Sequence, residues 1–138
     1  MEESAEVRAA AMRYFDAIAN GDAGFMEQFI SREPCVLLVG TDLNEWWPGY
    51  DKIVEIWRGQ FEAVGGGFPI KPTEIEAYSE GSVGMFATRP VFSGPDGSEV
   101  PFRMTAVVHK EDGEWKLVMS HASFGIPNEE VVEEELPV

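Results

Sequence analysis

The sequence predicts an α+β domain in which three N-terminal helices pack against a strongly curved, mainly antiparallel sheet. Apolar residues recur at helical spacing in three segments of the first half: Val7 to Ile18, Phe25 to Ile30, and Tyr50 to Val64. The second half consists of strand-like stretches separated by short connections that combine Gly with Asp or Glu, which is typical of hairpins. Helices followed by a run of strands indicate an α+β architecture.

Local signals bound the predicted helices. Ser4 is suited to the N-cap of the first helix, and Asn20-Gly21 to its end, because both of these residues tolerate a left-handed conformation. Asp22 can cap the second helix, and the glycines at positions 65–67 end the third. The predicted strands are Cys35–Val39, Lys71–Ser79, Ser82–Phe92, Ser98–His109 and Glu114–Phe124.

Length and charge limit the classes of function. The chain has 138 residues and a formal net charge of −15. We expect one domain over residues 1–127 and a solvated acidic tail over 128–138. Nucleic acids and anionic membrane surfaces are not expected as partners, because both are bound through clustered Lys and Arg. The acidic N-terminus lacks the features of a signal peptide and there is one cysteine, so we expect a cytoplasmic protein.

Two strands supply the candidate polar residues of a pocket. Because side chains alternate along a strand, Arg103 and Thr105 share one face of their strand, and His121 and Ser123 share one face of the last strand. The last strand is apolar at its start and polar at its end, which indicates a face that leads from the core into a cavity. We therefore predict that Arg103 and His121 point together into this cavity. The alternatives are an internal ion pair for Arg103 and a buried structural role for His121.

Other side chains are further candidates for the same pocket. Trp46, Trp47 and Trp57 either wall a planar ligand or belong to the ordinary core. Asp42 and Glu45 either reach the cavity mouth or are solvated loop acids. Two histidines and one cysteine without paired spacing give no convincing ligand set, so the sequence predicts no metal site and no cofactor.

Three stretches resemble one known family. Arg13–Asp22, Glu45–Ile53, and Arg103–Thr105 followed by Asp112–Ser123 resemble, in order and spacing, the SnoaL-like branch of the nuclear transport factor 2-like (NTF2-like) superfamily. The resemblance implies a cone-shaped fold with a cavity at one end. It also implies a homodimer formed through the outer sheet face, which agrees with the largely apolar character of both faces of the strand Ser98–His109.

The resemblance carries over to single residues only in part. Tyr14 matches the tyrosine with which the ketosteroid isomerases of the superfamily stabilise an oxyanion. Their base would fall near Val39 or Gly40, where this chain has no carboxylate, so steroid isomerisation is not expected. Arg103, His121 and Ser123 instead resemble the pocket of the kinase-association relatives.

Three functions follow as hypotheses. The first is a pocket that binds an anionic or carbonyl-bearing, partly aromatic small molecule through Arg103 and His121, with Ser123, Thr105 and Tyr14 as further donors and the tryptophans Trp46, Trp47 and Trp57 as walls. The second is a cofactor-independent cyclase, isomerase or dehydratase with His121 as acid or base and Tyr14 as donor. The third is a non-catalytic oligomerisation domain with a filled core.

Overall fold

The α+β architecture is confirmed in the computed structural model, which describes all 138 residues. The three predicted helices are α1 (Ala5–Asn20), α2 (Ala23–Phe29) and α3 (Tyr50–Val64), and a short α4 (Glu129–Val132) lies in the acidic tail. The predicted caps of the first two helices are present. Ser4 Oγ accepts a hydrogen bond from the Val7 amide, and Asp22 Oδ1 accepts one from the Phe25 amide. No helix combines the length and hydrophobicity that a bilayer crossing requires.

Ten strands form two sheets. The large sheet has the order β1-β5-β6-β9-β10-β2-β3, and a small sheet has the order β4-β7-β8. In chain order these strands are β1 (Glu2–Glu3), β2 (Leu37–Val39), β3 (Trp46–Pro48), β4 (Ile70–Lys71), β5 (Ile75–Glu80), β6 (Val83–Thr88), β7 (Val91–Ser93), β8 (Glu99–Pro101), β9 (Arg103–Glu111) and β10 (Glu114–Ser123). All strand pairs are antiparallel except β2 with β10. Helix α1 packs against β5 and β6, so the core lies between the helices and one face of the large sheet.

Proline divides three of the predicted strands. Pro72, Pro90 and Pro101 lie at or next to the points where the expected long strands separate into β4 and β5, β6 and β7, and β8 and β9. Proline has no amide hydrogen to donate to a ladder, and it therefore stands at strand ends. The separated pieces β4, β7 and β8 form the small sheet. The strand predicted over Cys35–Val39 is also shorter, because it begins only at Leu37.

The last strand contains a β-bulge. Leu117 pairs with Val108, but Met119 pairs with Val107, so Val118 is an extra residue without a partner. Because side chains alternate along a strand, this insertion exchanges the two faces of β10 from Met119 onward. Leu117 is buried before the bulge, and Ser120 is buried after it.

The connection after α3 returns closely along the end of α1. The amide of Phe68 donates a hydrogen bond to the carbonyl of Ile18 at 3.0 Å. A Cβ added at Gly67 would lie 2.1 Å from the carbonyl oxygen of Ala19. A side chain at this position is therefore incompatible with the close approach that holds Phe68 beside α1.

We expect Gly67→Ala to lower the free energy of unfolding by about 1–3 kcal/mol, because the new methyl group must push two backbone segments apart. Gly59→Ala is the matched control. Gly59 is exposed within α3 and has open space around it, so alanine should raise stability by about 0.5–1 kcal/mol. Urea unfolding measures both changes. A Gly67→Ala protein as stable as the parent would contradict the close approach.

Candidate functional site

A cavity of about 380 Å³ lies between α1, α3 and the inner face of the large sheet. Hydrophobic residues make up 15 of its 20 lining residues. Helical spacing brings Tyr14 and Ile18 of α1 to one wall, and Trp57 and Val64 of α3 to another. Concave, mainly apolar spaces of this size are typical of small-molecule sites.

Aromatic rings form a continuous series along the cavity. The rings of Tyr14 and Trp47 each meet the Trp57 ring edge-on, with centroids 6.3 Å and 6.0 Å away. The Trp57 ring also stacks on Phe61. The series then continues towards the small sheet through Phe68, Phe92 and Phe102. Such contacts fix ring orientations beyond what burial of area alone provides.

Tyr14 of α1 and Ser120 of β10 bring hydroxyl groups to the part of the cavity wall formed by this helix and the sheet. The Tyr14 side chain is buried, and burial raises the pKa of its phenol far above the usual tyrosine value. A hydrogen bond with the Ser120 side chain lowers the pKa of this phenol, but its effect is smaller than that of burial. Tyr14 is therefore a neutral hydrogen-bonding group at neutral pH and cannot act as a base there.

One charged residue, Glu45, lines the cavity. Its Oε2 accepts a hydrogen bond from Gln60 Nε2 at 3.2 Å, and its Oε1 accepts one from the Asp42 amide at 2.8 Å. Glu45 therefore reaches the cavity, which is one of the two alternatives that the sequence left open. Lys, Arg and His are all absent from the lining. No set of metal ligands is present there, because a lone carboxylate is the only strong ligand.

The indole N–H of Trp57 is a buried donor without an acceptor. Trp57 is 9% exposed and lines the cavity, yet its Nε1 makes no hydrogen bond. Most buried polar atoms in folded proteins have a partner, and each exception calls for an explanation. A bound molecule that carries an acceptor is one such explanation.

The expected placement of Arg103 and His121 inside the cavity is wrong. Both side chains are exposed, as is Thr105, and none of the three lines the cavity. Arg103 and His121 do lie on the same face of the sheet, because β9 pairs Thr105 with His121 and Arg103 with Ser123. That face is the outer one. The Arg103 guanidinium donates to Ser123 Oγ at 3.3 Å, outside the cavity.

The bulge in β10 explains the outward position of His121, whereas Arg103 lies on the outer face through the regular alternation of β9. A regular strand would place His121 and Ser123 on the same face as Leu117, which points to the core. The extra Val118 reverses this, so Ser120 and Ala122 line the cavity instead. The catalytic pair expected from the sequence is also divided, since Tyr14 lies in the cavity and His121 on the outer face.

Only two of the three tryptophans proposed as cavity walls have that position. Trp47 and Trp57 line the cavity, whereas Trp46 does not and is 61% exposed. Trp46 and Trp47 are consecutive residues of β3, so their side chains leave opposite faces of the sheet. No strand is predicted from the sequence over this segment, so the alternation of the two side chains is not apparent there.

Three polar lining residues were not predicted from the sequence: Thr41, Gln60 and Ser120. Gln60 stands one turn after Trp57 on α3, at a spacing that predicts the same face of the helix, and this signal was available in the sequence. Ser120 carried no such signal, because its inward direction depends on the bulge.

Tyr14 should make stability depend on pH in the alkaline range. Its pKa is raised in the native state, so the native protein holds this proton more tightly than the unfolded chain does. The free energy of unfolding should therefore fall as the pH rises above about 10, the pKa of an exposed tyrosine, by up to about 1.4 kcal/mol per pH unit. Tyr14→Phe should remove this contribution, as measured by urea unfolding between pH 8 and 11.5. Tyr78→Phe, on the outer face, should keep it, and equal slopes for parent and Tyr14→Phe would contradict the assignment.

Comparison with solved structures identifies the fold. An NTF2-like protein of unknown function from Pseudomonas putida KT2440 superimposes with a TM-score of 0.78 at 14% sequence identity, covering 95% of this chain and 91% of the other. A protein with a cystatin-like fold from Caulobacter vibrioides gives 0.73 at 17% identity, with 91% of each chain covered. An NTF2-like family protein from Streptomyces avermitilis, provisionally described as a dehydratase, gives 0.72 at 16% identity, covering 88% and 95%. At these identities the likeness shows the fold alone.

Comparison with known sequences identifies the family. No functionally curated protein matches the chain. The model of the SnoaL-like domain matches residues 7–127, which include α1 except for its first two residues, α2, α3 and all but the first of the strands. The chain therefore belongs to the SnoaL-like domain family and has the NTF2-like fold.

Proposed function

We propose that this protein binds a neutral, largely apolar small molecule that carries a hydrogen-bond acceptor such as a carbonyl oxygen. The family supports either a small-molecule-binding domain or one of isomerase or dehydratase type. The observation that carries the proposal is the buried, unpaired indole N–H of Trp57, a residue that lines a cavity without a cation. The oligomerisation hypothesis expected a filled core, and a cavity of about 380 Å³ argues against it.

The charge of the lining favours a neutral ligand. An anion that enters the cavity loses its hydration and meets no Lys, Arg or His, while the Glu45 carboxylate repels it. The anionic ligand expected from the sequence depended on Arg103, which is outside. The carbonyl-bearing, partly aromatic ligand remains, because aromatic walls and polar donors are both present.

The donors of the cavity suit a carbonyl oxygen. Leaving a buried donor without a partner costs about 1–3 kcal/mol, and a ligand acceptor bonded to Trp57 Nε1 recovers this cost. The hydroxyls of Tyr14 and Ser120 provide a second polar region on the sheet side. Binding is favoured over proton transfer, since Glu45 already accepts two hydrogen bonds and the pKa of Tyr14 is raised.

Three probes with one ring system test the proposal on the whole chain by equilibrium dialysis. 2-Acetylnaphthalene is neutral with an acceptor, 2-ethylnaphthalene is neutral without one, and 2-naphthoate is an anion. We expect the ketone to bind most tightly and the anion least. Trp57→Phe should weaken ketone binding about 2- to 10-fold, which corresponds to one hydrogen bond of about 0.5–1.5 kcal/mol, and should leave 2-ethylnaphthalene within about twofold.

Trp46→Phe is the matched control, because it makes the same change at an exposed indole outside the cavity. It should leave the binding of all three probes unchanged. Binding of 2-naphthoate as tight as that of the ketone would refute a neutral ligand. Equal losses of ketone affinity in the two variants would show that Trp57 does not provide the donor.

We also propose that two copies of the chain pair through the outer face of the large sheet. Strand register places Tyr78, Met85, Val107, Met119 and Leu37 in one continuous row across five strands. The side chains of Met85, Val107 and Met119 are each about two-fifths exposed. Two chains of charge −15 repel each other, so self-association requires a contact surface without charge. This row of residues is such a surface, and a twofold axis through it would place the row of one chain against the row of the other.

Val107→Glu should convert the dimer into a monomer in sedimentation velocity, because it places two like charges at the centre of the contact. The dissociation constant should rise at least about tenfold, as expected for a central interface residue. Leu43→Glu is the control, since Leu43 is 97% exposed and lies in the loop between β2 and β3. A parent protein that sediments as a monomer, or equal dissociation in both variants, would contradict this dimer.

A further inference from the structure

A side-chain cluster outside the cavity has the composition of a metal site. Glu33, His109 and Glu111 each offer one donor atom, and these atoms all lie within 4.8 Å of one another. The cluster lies where the segment after α2 passes the end of β9, on the outer side of the fold. The sequence predicts no metal site, because these three residues do not show a ligand spacing along the chain.

Two structural features bring the three side chains together. His109 and Glu111 are two residues apart on β9, so both leave the same face of the strand. Glu33 arrives from the segment after α2, which is joined to β10 by a bridge between Ile30 and Leu117. The residues are therefore held by a strand and by a fixed connection.

The buried side chain of Ser31 forms hydrogen bonds with two of the three residues. Its hydroxyl donates to Glu111 Oε2 at 2.7 Å and accepts from the Glu33 amide at 3.1 Å, and Ser31 is 1% exposed. The Ser31 amide in turn donates to the Leu117 carbonyl at 2.9 Å. Hydrogen bonds of this kind orient the ligands in protein metal sites and are a large part of their affinity.

The neighbouring basic side chains do not neutralise the cluster. Arg32 lies over the Tyr50 ring and donates to its hydroxyl. Lys110 pairs with Glu6 at 3.3 Å. Lys116, opposite His109 in the hairpin, binds the Gln28 carbonyl and the Glu114 carboxylate. Two carboxylates and an imidazole are therefore left facing one another.

We propose that Glu33, His109 and Glu111 bind a divalent transition-metal ion. His109 Nδ1 lies 3.2 Å from Glu111 Oε2. A metal ion that replaces the proton between these two atoms can therefore be coordinated by both of them. Two carboxylates balance the charge of the ion, and imidazole favours Zn²⁺ over Mg²⁺ or Ca²⁺. Metal–ligand bonds of about 2.0–2.2 Å require the donor atoms to approach by less than about an ångström, which side-chain rotation can supply. Three protein ligands leave one position open for water or another small ligand.

Isothermal titration of the full chain with Zn²⁺ tests the site. We expect one ion per chain, and at least about tenfold weaker binding in His109→Gln and in Glu111→Gln. His121→Gln is the matched control, because the chain has two histidines and His121 is exposed on the outer sheet face, away from this cluster. It should bind Zn²⁺ as the parent does. Zn²⁺ should also raise the melting temperature of the parent and of His121→Gln, but not that of His109→Gln.

A positioning role for Ser31 has a separate readout. Ser31→Ala should lower Zn²⁺ affinity about 10- to 100-fold without changing the number of ions bound, because the ligands remain but are no longer oriented. The proposal is overturned if the parent shows no saturable binding. It is also overturned if His121→Gln loses as much affinity as His109→Gln, since the ion would then bind histidine without regard to this cluster.

Discussion

A single unpaired residue in the last strand determines which side chains meet the cavity and which meet solvent. Val118 has no partner in β9, and from that point the two faces of β10 are exchanged. Ser120 and Ala122 consequently line the cavity, while His121 points outward. If β10 kept the register of Leu117 with Val108, Met119 would stand opposite Ala106 in the place of Ser120, and His121 would stand opposite Met104 in the place of Ala122. The cavity would then contain a group that titrates near neutral pH, and its chemistry would be different in kind.

Charged side chains are almost absent from the cavity. The chain is strongly acidic, yet Glu45 is the only charged residue of the cavity, and its oxygens are occupied by Gln60 and the Asp42 amide. Burying an unpaired charge is far more costly than burying a neutral polar group. The ligand that we propose is therefore one that loses little hydration on entering an interior with aromatic walls and neutral donors. Its acceptor is proposed to bond the unpaired Trp57 N–H.

The sequence was sufficient for the helices and the fold class because these depend on local signals. Ser4 and Asp22 cap their helices through hydrogen bonds three residues away, and helical periodicity is continuous in α1 and α3. The site was predicted only in part, since Tyr14, Trp47 and Trp57 line the cavity and Arg103 and His121 do not. The alternation of side chains no longer predicts which face a residue lies on once a bulge interrupts the strand. The residues around Val118 are apolar on both sides, so no break in alternation marks the insertion.

The bulge also connects the cavity with the cluster of Glu33, His109 and Glu111. Leu117, the last regular residue before the insertion, is fully buried, and its carbonyl accepts the Ser31 amide that anchors this cluster. Three residues later, Ser120 enters the cavity wall. A change that loosens the packing of Leu117 should therefore disturb both sites, whereas a change in a side chain of one site should leave the other intact. The cavity wall and the cluster that we propose to bind a metal ion are thus both held by β10, one after the insertion and the other before it.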